Sequence, residues 1–388
     1  MSNRRRPRAQ RARRIEGTTF VPPHCPNRHC PHFTHSAPFA WQPYGSFRRP
    51  SDGRRFQCFR CRHCLRRFST RTFEGDYWLR RRDDYPRILA WANEGPGLRQ
   101  TARVLKLHHS TLIRHLARGG RQALLYHYAR LKAHPITEPL AIDGFESFEY
   151  SQFFPFHLNL AAGRESWFVY GFTESPLRRK GRMTAKQERR RAELERQLGR
   201  PDPKAIERGM TALFELVFRG LKPRRATSAS LEVHSDDHPA YPKALRAYSR
   251  ETGRKVAHLI TPGRAPRTLD NPLFPVNLAD LLLRHGQANH RRETIAFSKR
   301  RQGAIERAAL FLLWRNDVKP RREKVGGETA AMAAGLATVP LGWEEFVRRR
   351  LFPRRRDLPG PTWSFYWAKV KTAIFGRGQR EHRARYAF

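Results

Sequence analysis

Residues 139–175 read PLAIDGFESFEYSQFFPFHLNLAAGRESWFVYGFTES, and their patterning sets the fold class. PLAIDGFESFEY is an apolar run that ends on an acid, and FHLNLAAG and WFVYGFTES are two further strand-like runs separated by a turn. The pattern predicts a three-stranded meander. Downstream, the basic stretch RRKGRMTAKQERRRAELERQLG is helix-prone and AIERGMTALFELVFRGL is an amphipathic helix. SLEVHSDDHPAY is a strand that again ends on acids, followed by a helix at PKALRAYSRE and a fifth strand at KVAHLI. After a Pro-rich irregular segment, LADLLLRHGQANH and QGAIERAALFLLWRN return to the helical period. The expected order is β-β-β-α-β-α-β-α, an α/β fold of the α+β, mixed-sheet kind. Acids fall at the ends of the first and fourth strands and on the last helix.

Upstream of this core the period is helical. From about Asp83 to Arg130, apolar residues recur three and four apart and are interrupted by two glycine-containing turns, which predicts a helix-turn-helix. Gln100 to Val104 form its first helix, Leu105 to His108 the turn, and Ser110 caps a recognition helix running to about Ala117. Thr111, Arg114 and His115 would then face a DNA groove; the plainer reading is a helical hairpin with solvated basic residues.

All five cysteines lie between Cys25 and Cys64, in CPNRHC at 25–30 and in the stretch that ends CRHC at 61–64. Two short pairs at that separation are the signature of a zinc ribbon, because four thiolates supply the tetrahedral soft shell that Zn²⁺ prefers. Cys25, Cys30, Cys61 and Cys64 are the expected ligands. Cys58 also makes a C-x-x-C pair with Cys61, but the CLRRFS that follows Cys64 places Phe68 where a ribbon plugs its core.

Composition narrows the partner. Among 388 residues, 39% hydrophobic content is enough to build cores, while 77 Lys and Arg against 34 Asp and Glu give a formal charge of +43. The sequence pI is near 11.4. Basic residues run along the whole chain, which favours nucleic acid over a membrane surface. No apolar run approaches the roughly 20 residues a membrane span needs, and MSNRRRPRAQRARR has no apolar stretch after its charges, so a cytoplasmic protein is expected.

Asp143, Asp236 and Glu306 stand where such a topology gathers carboxylates from separate elements. Two-metal phosphoryl transfer needs that arrangement, with divalent ions roughly 3.5 to 4 Å apart, and Mg²⁺ is a hard ion that prefers oxygen ligands. Taken singly, Asp143 could merely end a strand, Asp236 could cap a helix and Glu306 could be one arm of a surface ion pair.

Three passages resemble the DDE transposases of bacterial insertion sequences, the group with a zinc ribbon and helix-turn-helix ahead of an RNase H-like core. AIDGFES resembles the family's first motif and implies Asp143; SDDHPAYPKAL resembles the second and implies Asp236, with Asp237 beside it. NHRRETIAFSKRRQGAIERAALFLLWRN resembles the third and implies Glu306, with Glu293 as its competitor. CLRRFS and the later ETAAMAAGLATVPLGWEEFVRRRLF extend the likeness over nearly the whole chain. The basic stretch near 176–202 departs from the pattern and reads as an insertion that grips DNA.

The resemblance implies a transposase that binds the element's ends in double-stranded DNA, cuts them, and joins them to target DNA. Two Mg²⁺ or Mn²⁺ ions would sit at the acids, with structural Zn²⁺ at the cysteines. His290, Arg291 and Arg292 would steady the scissile phosphate. The expected setting is a prokaryotic cytoplasm, on the nucleoid, without membrane, as a homodimer or higher oligomer because two ends must be joined. The expected segments are a basic arm (1–17), zinc ribbon (18–75), helix-turn-helix (80–134), catalytic domain (138–322) and basic C-terminal region (323–388). A DNA-binding regulator with a decayed core and an RNase H-like nuclease are the alternatives.

Overall fold

The computed structural model describes residues 20–34, 39–50, 52–79, 84–132, 134, 136–218, 231–324 and 326–378. The basic arm expected at 1–17 lies outside them. The chain divides into two compact units, and the described residues of the first fall within 20–79 and Val347–Arg356.

In the first unit, β1 (Trp41–Arg48), β2 (Arg55–Cys61) and β3 (Arg67–Ser69) form an antiparallel sheet in the order β1-β2-β3. Its core is small and aromatic: Phe33, Phe39, Phe59, Phe68 and Phe73 bury with Cys25, Cys30 and Cys61. Phe68 stacks on Phe59 with ring centroids 5.6 Å apart, in the plugging place its position after the cysteines suggested. Phe352, far away in sequence, closes the cluster against His24, Phe33 and Phe73. No local pattern announces that return.

The second unit begins with α1 (Asp84–Trp91), α2 (Leu98–Val104) and α3 (His109–Leu131). The turn between α2 and α3 falls at Leu105–His108, as its sequence suggested. His108 is the N-cap, its side chain accepting from the Ser110 N–H, and α3 continues well past Ala117.

A five-stranded mixed sheet follows: β4 (Leu140–Phe148), β5 (Pro155–Gly163), β6 (Val169–Pro176), β7 (Leu231–Ser235) and β8 (Val256–Ile260). The order is β6-β5-β4-β7-β8, antiparallel through the meander and parallel across β4, β7 and β8. The helices are α4 (Ala185–Leu198), α5 (Ala205–Phe218), α6 (Ala240–Thr252), α7 (Phe274–Gly286) and α8 (Arg301–Leu313). α5 packs on β5 and β6 with Met210, Leu213, Phe214 and Val217 buried, while α7 lies across β4. α4, within the basic stretch 176–202, buries only Leu194 and is laced on its outside by Arg178–Glu195 and Arg190–Glu193 pairs.

α8 corrects an expectation. Its sequence reads as amphipathic, yet every residue from Arg301 to Leu313 except Gly303 is buried. Its charged residues are satisfied inside: Glu306 faces Arg121 of α3 at 3.2 Å, and Arg307 donates to Ser298 Oγ and to the Gly303 carbonyl. α3 and α8 approach so closely that a Cβ on Gly120 would stand 2.2 Å from the Glu306 carbonyl oxygen. Among the described residues no helix is long and apolar enough to cross a membrane.

Candidate functional site

Cys25, Cys30, Cys61 and Cys64 converge with their sulfur atoms all within 4.8 Å of one another. Cys25 Sγ lies 3.5 Å from Cys64 Sγ, and Cys30 Sγ lies 3.9 Å from Cys61 Sγ. Cys25 and Cys30 arrive on the loop before β1, Cys61 at the end of β2 and Cys64 in the turn after it. Four thiolates so placed can hold a structural zinc ion. Cys58 stays outside the cluster, pairing on β2 with Ser69 of β3.

The acidic site is built where α7 crosses β4. Asp143 lies inside β4, which continues to Phe148 instead of stopping at the acid. Residues alternate between faces of a strand, so Asp143, Phe145 and Ser147 point the same way. Along α7 and the segment after it, Arg284 stacks over the Phe145 ring at 4.6 Å and His290 Nδ1 lies 3.0 Å from Ser147 Oγ. One turn before Arg284 lies Asp280, whose ionisation is opposed by burial and by the charge of Asp143.

Asp236 follows β7 directly and accepts the His238 N–H at 3.0 Å, which fixes the turn into α6. Three residues farther on, Tyr241 is buried and donates its hydroxyl to Asp143 Oδ1 at 3.2 Å. Burial first, and then the charge of Asp236, push the Asp143 carboxyl up to about 6, against the Gly144 and Tyr241 hydrogen bonds that lower it. Asp280 is raised well above the carboxylate range by burial and by Asp143. Its Oδ1 is buried without a hydrogen-bond partner.

Such a site suits a cation. Buried carboxylates with a raised pKa and an unpartnered oxygen carry a cost that a divalent ion would remove. Among the described residues only the four cysteines close into a cage of three or more ligand side chains, so the carboxylates are neighbours and not a finished coordination shell. Mg²⁺ commonly binds through one or two carboxylates and completes its shell with water and substrate phosphate.

Glu306 is 6% exposed, sealed between α8 and α3, and hydrogen-bonded by Arg121 and Gln302. Glu293 and Asp237 are exposed, as are Arg291 and Arg292. Arg291 donates to the carbonyls of Gly95 and His285. His290, expected at a phosphate, is 1% exposed, and burial lowers its pKa to about 3, so it sits neutral beneath α7. On α3, Arg114 is exposed and Thr111 half-buried. His115 turns inward, its Nδ1 on the Thr111 carbonyl and its ring edge-on to Tyr85.

Sequence reasoning passed over Asp280 and Tyr241 as site residues. The signal for Asp280 was a lone acid in the apolar helix LADLLL; for Tyr241 it was the spacing from Asp236 in DDHPAY.

Comparison with family models and with curated proteins finds no match for the chain.

Proposed function

We propose that this protein is a metal-dependent enzyme that cuts and joins DNA strands, a transposase of the DDE type on an RNase H-like core. The observation that carries the reading is the charge of Asp236, after β7, acting on Asp143 inside β4, and that of Asp143 acting on Asp280 of α7, whose Oδ1 is buried and unpartnered. The sheet order β6-β5-β4-β7-β8 and the three-helix segment ahead of it support it. So does the charge of +43.

Asp143 and Asp236 would hold the divalent ions, and we assign the third position to Asp280 in place of Glu306. Mg²⁺ or Mn²⁺ at these carboxylates would supply an activated water and neutralise charge on the scissile phosphate. The chain's own part is positioning. Tyr241 fixes the Asp143 rotamer through its hydroxyl, and the His238 N–H holds the Asp236 carboxylate in the turn after β7. The exposed Arg114 and the half-buried Thr111 of α3 would read duplex DNA, and Arg291 and Arg292 lie at the surface to meet phosphate. Joining two DNA ends calls for at least a dimer.

The test is nicking of supercoiled DNA by the full chain with Mg²⁺ or Mn²⁺. Asp143→Asn and Asp236→Asn should each abolish nicking while leaving duplex binding intact. A second reading is favoured by the open arrangement of the carboxylates: a DNA-binding regulator whose core has lost its chemistry. Duplex binding by the parent chain with no nicking under either ion would establish that reading instead.

A further inference from the structure

The first unit carries a groove of about 880 Å³ that neither the cysteine cluster nor the acidic site accounts for. Its wall is basic and aromatic. Arg28, Arg66 and Arg67 line it together with Tyr44, Phe47 and the fifth cysteine, Cys58, and among the described residues no carboxylate lines it. Arg67 stacks over the Tyr44 ring at 4.2 Å.

The two aromatic residues are unusual in their exposure. Tyr44 is 37% exposed and Phe47 is 41% exposed, although both belong to a strand whose neighbour β2 buries Phe56 and Phe59. The backbone explains it. β1 is bulged between Pro43 and Ser46, and Gly45 takes a positive φ of 81° there, which turns Tyr44 out of the regular alternation. A bulge on an edge strand commonly re-aims a side chain.

We propose that this groove binds an unpaired DNA strand. Rings presented on a positively charged concave wall offer stacking faces to bases and cations to the phosphates between them. Paired bases stack on each other and cannot reach such rings, so the surface fits a single strand and not a duplex. A membrane would want a convex apolar edge, and an acidic peptide would leave the ring faces unused. Nothing in this assignment depends on the carboxylate site.

The experiment measures binding of the full-length chain to a short fluorescein-labelled oligothymidylate and to a duplex of the same length, without added divalent ion. Y44A/F47A should weaken the single strand about tenfold or more, from about 1–3 kcal/mol per stacked base, and leave the duplex within about twofold. R28Q/R66Q should lower the salt dependence of single-strand binding by roughly 0.7 for each phosphate no longer neutralised. Unchanged single-strand affinity in Y44A/F47A, or an equal loss on both DNAs, overturns the proposal. If that variant loses the parent's circular dichroism, Cys58 in the parent decides. Protection from a maleimide by the oligothymidylate supports the groove, and full reactivity overturns it. D143N serves as the control that separates the two sites. It should bind oligothymidylate as the parent does, so failure of nicking and failure of this groove give different results.

Discussion

Asp143 is held in a state that costs the fold stability. Its folded pKa of about 6 lies above its ordinary 3.8, because burial and the charge of Asp236 oppose ionisation. The stability it contributes is therefore complete below pH 3.8 and is lost as pH rises through about 6. Without divalent ion at pH 7, Asp143→Asn should melt higher than the parent, by up to about 3 kcal/mol, and the difference should vanish near pH 4. An equal or lower melting temperature at pH 7 would contradict this. Tyr241 gives the complementary expectation. Tyr241→Phe removes the hydroxyl that orients Asp143 and should reduce nicking about 10- to 100-fold, the usual effect of losing an outer partner of a metal ligand, with the melting temperature little changed. Nicking at the parent rate would remove Tyr241 from the site.

At the scale of elements, α3 and α8 pack tightly where Gly120 faces the Glu306 backbone. Gly120→Ala gains helix propensity yet forces the two helices apart, and overpacking of this kind costs about 1–3 kcal/mol. Chemical denaturation should show a net loss; a gain in stability would mean that the helices separate freely. The same close packing explains what the sequence left hidden. RQGAIERAAL carries charge at positions that read as a solvent face, and only the tertiary partners Arg121 and Ser298 make burial of those charges tolerable. Where local pattern suffices, it was legible: the meander of β4 to β6, the Leu105–His108 turn and the acid that follows β7 all stand where the residues placed them. The partner of Asp143 was not legible, because period alone does not say which face of α7 meets the sheet.

For the whole molecule, the two units should respond to different chemistry. The first has a small aromatic core around four thiols, and domains of that kind depend on their metal, with structural zinc contributing on the order of 10 kcal/mol in isolated fingers. A strong chelator, or Cys61→Ser, should unfold residues 20–79 and expose their thiols to reagent while the second unit keeps its melting transition. Loss of both transitions together would contradict independent units. The cysteine spacing made this cluster legible from sequence, whereas the contribution of Phe352 was not, since a lone aromatic in FPRRR carries no sign of its partners. Acid acts on both units, and in the first burial lowers His24 to about 4. Burial lowers His127 and His290 to about 3 and His157 to about 4. The stability these histidines contribute is complete above their ordinary 6.5 and is lost as pH falls toward those values.

The proposed function groups Asp143, Asp236 and Asp280 at one metal-dependent site, and the deciding measurement is the rate of Mn²⁺-dependent nicking of supercoiled DNA by the parent chain, Asp280→Asn and Glu306→Gln. The parent should nick, Asp280→Asn should fall by more than about 100-fold, beyond what outer partners give, and Glu306→Gln should keep its activity wherever it keeps its fold. A folded Glu306→Gln without activity beside an active Asp280→Asn would overturn the assignment.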